Sequence, residues 1–231
     1  MRCVSAAWDS LAPPIQSGAD TPHCRDMSIT VLKLGGSLLD LSDLPDRLRA
    51  VIARLENDRP LLICGGGKVV DVVRRWHETH ALDDEQSHWL AMDSIRLNQR
   101  LLLTLMPELE LASNRAAAES AWLRGRVPLL DLMAFVSIEE SYCEQVAALP
   151  HTWNVTSDSL AAWVAIRWPA SRFVLLKSVE LPNKDARWTL QTAADAGFVD
   201  RYFPKLTPSL PPTFWCDLRC NTDAGIQPLA D

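Results

Sequence analysis

Two glycine clusters contain the residues best suited to binding an anion, and each directly follows an apolar run typical of a buried β-strand. The clusters are Gly35 and Gly36, followed by Ser37, and then Gly65, Gly66 and Gly67. Glycine at the end of a strand lets backbone N–H groups approach an anion without a Cβ in the way, and the N-terminus of the following helix adds a favourable dipole. Two such turns side by side could hold two phosphate or carboxylate groups facing each other, which predicts a small-molecule kinase.

Neither cluster matches the P-loop or the dinucleotide-binding fingerprint. A single Gly-Gly after a strand is more often only a tight turn, so the pair together with Lys33 in the first run is the more specific signal. Burying a lysine without a partner is costly, and we therefore expect an anion beside the Lys33 ammonium. The alternative is a lysine at a strand edge whose ammonium reaches water.

Asp158 is the carboxylate best placed to serve such a site, because it lies in a Thr-Ser-Asp-Ser segment directly before a helix of small residues. A carboxylate there could hold ammonium groups or a metal near a transferring phosphate. The alternative is a helix cap, since Asp and Ser are favoured at helix starts. Lys177 and Lys205 are further candidates for local positive charge, although each alone is more typical of a surface lysine.

Metal-binding patterns are weak in this sequence. His80, Asp84 and His88 have no reliable metal-ligand spacing, and the six cysteines contain no Cys-x-x-Cys pair. We therefore predict no protein metal site and reduced thiols. Trp89 and Trp153 are the tryptophans that we expect to contact a substrate.

The composition excludes some classes of function. The chain has 231 residues, of which 48% are hydrophobic and 23% charged, values that are ordinary for a soluble enzyme. A formal net charge of -6 argues against general nucleic-acid binding, which needs a basic face.

Hydrophobic periodicity predicts alternating strands and helices after residue 27. Apolar runs typical of strands precede helical patterns, which indicates parallel strands with right-handed crossovers and an α/β fold. Residues 84–105 predict one long helix with a broad apolar arc, which would pack on a sheet or on a second subunit, and the arc favours a homodimer. Strands are also expected at 108–112, 127–130, 172–177 and 213–218.

Residues 1–26 differ from the rest of the chain, because prolines and polar residues interrupt any periodicity. The segment lacks the apolar core of a signal peptide or membrane anchor. We expect 1–26 to be a disordered leader, absent from the native protein if translation starts at Met27. Residues 27–231 would then form a single domain in the cytoplasm, with no membrane partner.

The order of these motifs resembles the amino acid kinase superfamily. The resemblance rests on residues 33–37, 65–67 and 156–160 together with Lys205. It implies a three-layer αβα sandwich on a mostly parallel open sheet of about eight strands, with ATP and Mg²⁺ as cofactors. Segments 87–91, 151–160 and 199–204 are most similar to the kinases of methanofuran biosynthesis that phosphorylate (5-(aminomethyl)furan-3-yl)methyl phosphate.

The resemblance also implies roles for individual residues. Lys33 would neutralise the transferred phosphoryl group while Gly35, Gly36 and Ser37 donate hydrogen bonds to it. Asp158 would orient the lysines, and Lys205 would stabilise the leaving group. The remaining assignments are Gly65, Gly66, Gly67, Thr156 and Ser157 to the phosphorylated substrate, and Lys177 and Ser178 to the nucleotide.

The sequence departs from the family at residues 176–180, where Leu-Lys-Ser-Val-Glu replaces the usual Thr-Asp-Val-x-Gly. The loss of the acid and the glycine weakens the prediction of ATP binding. Uridylate and acetylglutamate kinases stay open as alternatives, as does a non-catalytic subunit that uses the same fold for binding or storage. Isopentenyl phosphate kinase is disfavoured, because Lys68 and two valines follow Gly67 where a histidine is expected.

Overall fold

The computed structural model describes residues 28–55, 58–141, 148–181, 188–220 and 226–229. These residues form a seven-stranded sheet in the order β3-β4-β2-β1-β5-β6-β7. The strands are β1 (Ile29–Leu34), β2 (Arg59–Cys64), β3 (Leu109–Ala112), β4 (Val127–Leu130), β5 (Arg172–Lys177), β6 (Thr213–Asp217) and β7 (Gln227–Pro228). All pairings are parallel except that of β6 with β7.

Helices connect the strands and cover both faces of the sheet. They are α1 (Leu44–Ala53), α2 (Gly67–His80), α3 (Asp84–Leu105), α4 (Arg115–Leu123), α5 (Leu132–Ser141), α6 (Ser157–Arg167) and α7 (Leu190–Asp195). Two 3₁₀ segments span Gly36–Asp40 and Phe203–Ser209. The long α3 starts where predicted because Asp83 accepts a hydrogen bond from the backbone N–H of Gln86 in a capping box.

The side chains of the central strand alternate between two apolar clusters, one on each face of the sheet. Val31 belongs to the cluster that includes α6, whereas Leu32 and Leu34 belong to the cluster that includes α1. A strand that is buried on both faces reads as a continuous apolar run, as β1 does. The alanines of α6, such as Ala161, are fully buried and contribute to the first cluster. The predicted three-layer α/β architecture is thus confirmed.

The register aligns the carboxyl ends of the three central strands. Leu34 at the end of β1 pairs with Cys64 of β2 and with Leu176 of β5. The chain stays in register just beyond the strands, because the N–H of Gly35 donates to the carbonyl of Leu176 at 2.8 Å and that of Gly65 donates to Leu34 at 2.9 Å. Both glycine turns therefore begin at the same edge of the sheet.

Several predicted elements are confirmed with small changes. The strands expected at 108–112 and 213–218 start or end one residue inside those limits, and an antiparallel β7 follows β6. The expected sheet of about eight strands has seven within the described residues. The predicted leader, residues 1–26, lies outside the described part of the chain. No helix of that part is both long and apolar enough to span a membrane.

Candidate functional site

The two glycine turns touch each other. A Cβ added to Gly36 would lie 2.1 Å from the backbone nitrogen of Gly67, and Gly67 has a positive φ of 53°. A Cβ on Gly65 would lie 2.8 Å from the Oγ of Ser157. Only glycine allows backbone to approach this closely, so the two turns are in direct backbone contact.

The second turn is held in place from α3, by a residue that the sequence analysis did not single out. The buried Asn98 amide donates hydrogen bonds to the carbonyls of Gly65 at 2.9 Å and Gly66 at 2.8 Å. These contacts occupy the carbonyl groups of the turn. The amide N–H of Gly67 belongs to the first turn of α2, where the helix dipole favours an anion.

A buried carboxylate joins two lysines beside these turns. Asp158 lies 2.7 Å from the Nζ of Lys33 through Oδ1 and 2.7 Å from the Nζ of Lys177 through Oδ2. The side chains of Lys33, Asp158 and Lys177 are 4%, 8% and 13% exposed. Lys33 therefore does not reach water at a strand edge, and Asp158 does more than cap a helix.

The two ammonium groups keep the carboxylate ionised. Burial would raise the pKa of Asp158, but the charges and hydrogen bonds of Lys177 and Lys33 outweigh it and lower the pKa to about 2. Burial lowers the pKa of Lys177 to about 8, with Asp158 opposing the shift and Lys33 adding to it. The trio thus places two buried ammonium groups around a single carboxylate.

Asp200 fixes the helix start that presents Asp158. Its carboxylate accepts six hydrogen bonds, from the backbone and hydroxyl groups of Thr156 and Ser159 and from the backbone N–H groups of Tyr202 and Phe203, at 2.5–3.1 Å. The sequence analysis missed this role. Thr156 thus contacts Asp200 and caps α6, and its contact with substrate stays a prediction.

A cavity of about 360 Å³ opens beside the glycine turns. The predicted residues Lys33, Ser37, Gly66, Gly67, Thr156, Ser157 and Asp158 line one part of it. Arg74, His88, Trp153 and apolar side chains such as Met92 and Val155 line the rest. The cavity thus combines a cationic and amide-rich wall with an aromatic and apolar wall, a combination that suits a small molecule carrying both an anion and a ring.

The aromatic wall is built from stacked rings. Arg74 lies 5.2 Å from the Trp153 ring, and His77 packs edge-on against the same ring at 5.7 Å. His88 stacks on His151 at 3.7 Å, and its pKa falls to about 4, mainly because burial disfavours the charged ring. His88 is therefore neutral at physiological pH. Trp89 does not line the cavity; its indole N–H donates to Glu85 at 2.6 Å.

The structure places the other candidate residues apart from the Lys33–Asp158 pair. Lys205 is exposed, with its Nζ 4.8 Å from the Tyr202 ring, and it lines a different, shallow cavity. Ser178 contacts Ser37 through their hydroxyl groups at 2.9 Å. Among the described residues, no group of three His, Cys, Asp or Glu side chains could hold a metal ion.

Comparison with known proteins gives one matching family model and several similar folds. Residues 28–187 match the model described as "Amino acid kinase family". No curated protein matches the sequence. Three similar solved structures indicate the same fold. Their sequence identities are too low to indicate a shared function or substrate.

The first of these is uridylate kinase from Archaeoglobus fulgidus, at 17% identity and a TM-score of 0.56, covering 87% of this chain and 91% of that one. UMP kinase from Ureaplasma parvum gives 13% identity and a TM-score of 0.54, covering 81% and 88%. Aspartate kinase from Synechocystis gives 11% identity and a TM-score of 0.59, covering 88% of this chain and 40% of that one.

Proposed function

This chain belongs to the amino acid kinase family, and from that premise we propose that it transfers a phosphoryl group from ATP to a phosphate or carboxylate on a small molecule. The observation that carries the proposal is the buried Lys33 ammonium beside two touching glycine turns, at the wall of a cavity large enough for a small acceptor. Phosphoryl transfer depends mainly on positioning and on neutralising charge, and this arrangement offers both.

In this mechanism Lys33 neutralises the transferred phosphoryl group, and the backbone N–H groups of Gly36 and Ser37 donate hydrogen bonds to it. Gly35 shapes the turn without donating, because its N–H already bonds to the carbonyl of Leu176. The acceptor phosphate lies against the second glycine turn and the start of α6, where Thr156 and Ser157 line the cavity. Asp158 orients the Lys33 ammonium through their 2.7 Å contact.

The nucleotide would bind at the far side of the first glycine turn, near the end of β5. Ser178 contacts Ser37 there, which links the predicted nucleotide segment to the phosphate-binding turn. Mg²⁺ would enter together with ATP and would neutralise charge on its phosphates, which requires no cage of protein ligands. Two lysines are candidates for the second cation, which stabilises the leaving group. Lys205 is a candidate by resemblance and Lys177 by its contact with Asp158.

For the acceptor we propose (5-(aminomethyl)furan-3-yl)methyl phosphate, converted to its diphosphate. Its phosphate would meet Lys33 and the glycine turns, and its flat ring would pack against Trp153 and Met92 in the same cavity. The neutral His88 ring at this wall adds no positive charge that would oppose an aminomethyl group. UMP and acetylglutamate are the competing acceptors.

Release of ADP from MgATP by the full-length chain tests this function. The furan phosphate is compared with UMP, acetylglutamate and isopentenyl phosphate as acceptors. Turnover with the furan phosphate alone supports the proposal, whereas turnover with UMP or acetylglutamate reassigns the acceptor. Absence of both turnover and ATP binding would favour a non-catalytic subunit, an alternative motivated by the departure from the family pattern at residues 176–180.

A matched pair of variants ties any turnover to this site. Lys33→Met removes the buried ammonium, and we expect kcat to fall by about 100-fold or more. Arg49→Met removes an exposed cation of α1 that pairs with Glu108, away from the cavity, and should leave kcat unchanged. Normal turnover by Lys33→Met would remove Lys33 from the mechanism.

We also propose a homodimer and a cytoplasmic location. Leu97, Leu101 and Leu105 recur on one side of α3 and are 57%, 41% and 42% exposed, an apolar row that a second copy of the chain could cover. Light scattering coupled to size-exclusion chromatography tests the dimer, and a monomeric mass at micromolar concentration would contradict it.

A further inference from the structure

We propose that Lys177, and not Lys205, is the second catalytic cation of the phosphoryl-transfer site. The inference rests on the proposed kinase function and deepens it by naming the group that stabilises the leaving phosphate. Sequence resemblance assigns that role to Lys205, whereas the contacts of the two side chains reverse the assignment.

Three contacts hold the Lys177 ammonium at the end of β5. Its Nζ donates to the Oδ2 of Asp158 at 2.7 Å and to the carbonyl of Phe198 at 2.8 Å, and it lies 5.5 Å from the centre of the Trp215 ring. A Cβ on Gly35 would lie 3.8 Å from its Cδ, so the lysine stem runs beside the first glycine turn. The side chain is therefore fixed before any ligand binds.

Lys33 and Lys177 meet opposite oxygens of the same carboxylate. Asp158 contacts Lys33 through Oδ1 and Lys177 through Oδ2. Asp158 contacts both ammonium groups, whereas the other nearby carboxylate, Asp200, is occupied by six hydrogen bonds from the start of α6 and from Tyr202 and Phe203. Two buried ammonium groups that share one direct carboxylate partner favour a bound anion. The two lysines flank the first glycine turn, since Lys33 precedes it in β1 and Lys177 ends the neighbouring strand.

Lys205 makes none of these contacts. It lies in the Phe203–Ser209 segment, is exposed, and places its Nζ over the Tyr202 ring. It lines a separate, more open cavity, which shares Thr152 with the cavity beside the glycine turns but is not lined by Lys33. A lysine in that position is screened by water and contributes little to neutralising a buried phosphate.

The proposed step is a single displacement at the terminal phosphorus of ATP. An acceptor oxygen forms a new P–O bond while the bond between that phosphorus and the β,γ-bridging oxygen breaks, and ADP leaves with the electron pair. Lys177 stays protonated throughout and stabilises the negative charge that develops on the bridging oxygen. Lys33 does the same for the oxygens of the transferred group.

If Lys177 has this role, its charge state should make kcat/KM depend on pH. The charged groups that face it are Asp158 on α6, Lys33 on β1 and Asp200 after α7, and its pKa lies at about 8, mainly because of burial. Since only the ammonium form stabilises the leaving group, kcat/KM should fall as pH rises above about 8. Arginine stays charged throughout this range.

Three variants of the full-length chain separate the two lysines. For Lys177→Met we expect kcat to fall by about 100-fold or more, while Lys205→Met changes kcat by less than about three-fold. In Lys177→Met, Asp158 keeps Lys33 as its partner, so we expect the variant to fold. Circular dichroism and thermal unfolding check that expectation. Lys177→Arg should keep measurable activity and lose the decline of kcat/KM above pH 8.

Binding measurements keep this proposal separate from the kinase function. With Mg²⁺, Lys177→Met should weaken the affinity for AMPPNP by about ten-fold and leave the affinity for ADP within about two-fold. If wild-type protein binds AMPPNP but phosphorylates no acceptor, the kinase function is contradicted. The role of Lys177 would still be supported in that case, provided that Lys177→Met weakens AMPPNP binding. The role of Lys177 would be overturned if only Lys205→Met lost affinity, or if wild-type protein bound neither nucleotide.

Discussion

Gly36 and Gly67 lie so close that a Cβ on Gly36 would stand 2.1 Å from the Gly67 nitrogen and a Cβ on Gly67 would stand 2.6 Å from the Gly36 carbonyl oxygen. The contact joins the turn after β1 to the turn after β2. It exists because the parallel register of these strands ends both at the same level. Ser37, directly after the first turn, and Gly66 and Gly67 of the second turn therefore line the same cavity.

We expect Gly67→Ala to disrupt this contact. The added Cβ would clash with the backbone carbonyl of Gly36, and alanine is also disfavoured at the positive φ of this residue. The turns must separate to relieve the clash. Gly125→Ala is the matched control, since Gly125 has a similar φ of 68° but nothing within 4 Å of an added Cβ. The control should cost about 1 kcal/mol of unfolding free energy, from the strained φ alone.

Urea unfolding and acceptor KM, measured on both variants, check this prediction. Gly67→Ala should lose clearly more stability than Gly125→Ala and should raise the KM of the acceptor. Equal losses of stability together with an unchanged KM would show that the approach of the two turns is not needed for binding.

The part of the site that the sequence predicted is the part encoded locally. Glycine turns at strand ends and Lys33 within β1 are visible because parallel strands bring their carboxyl ends to one edge of the sheet. Asp158 was found from its place at a helix start. In each of these cases the position in a secondary-structure element defines the position in the site.

The missed contacts depend on side chains from distant segments. Asp200 accepts hydrogen bonds from the start of α6, more than 40 residues earlier in the chain. No sequence pattern near Asp200 predicts those partners. Lys177 ends a strand, and whether its ammonium turns toward Asp158 or toward solvent depends on packing against Trp215 and Phe198. Trp89 was chosen for its type, but its ring packs edge-on against His88 and bonds to Glu85, and it does not line the cavity.

Asp200→Asn should loosen the start of α6. An amide offers one oxygen where the carboxylate offers two, and its NH₂ group would face backbone N–H donors of Tyr202 and Phe203 or of Thr156 and Ser159. We expect a loss of about 2 to 4 kcal/mol in unfolding free energy, since hydrogen bonds to charged groups are each worth about 1.5 to 3 kcal/mol.

Denaturant unfolding measures that loss, with Asp195→Asn as the control. Asp195 is an exposed residue at the end of α7 that accepts a hydrogen bond from Gln191, and its replacement should change stability by less than about 0.5 kcal/mol. If Asp200→Asn unfolds at the same denaturant concentration as this control, the six hydrogen bonds do not organise the site.

His151 should make the stability of the fold depend on pH. Burial opposes its charged form, but hydrogen bonds to Glu140 and Glu85 outweigh burial and raise its pKa above 6.5. Because the pKa is higher in the folded state, the contribution is fully present below the unfolded value and is lost as pH rises through the folded value. Stability from this group should thus decline above pH 6.5.

Unfolding free energies of wild type and His151→Gln between pH 5.5 and 8.5 isolate this contribution by difference. Subtraction is needed because His88, stacked on His151, has a lowered pKa of about 4 and therefore acts with the opposite sign below pH 6.5. The advantage of wild type over His151→Gln should shrink as pH rises. A difference that stays constant over the range would mean that folding does not shift the pKa of His151.

Trp153 should determine the affinity for the ring of the acceptor without affecting the chemical step. Its indole contacts Arg74 and His77 and lines the cavity, whose cationic wall includes Lys33 and Asp158. Trp153→Leu removes the flat surface, and we expect the KM of the acceptor to rise by about ten-fold, roughly 1.4 kcal/mol of ring contact, with kcat and the KM of ATP nearly unchanged.

Trp89→Leu, outside the cavity, is the matched control and should leave the acceptor KM within about two-fold. Steady-state kinetics with the acceptor that gives turnover decide between the outcomes, and equal KM changes in the two variants would show that the Trp153 ring does not contact the acceptor.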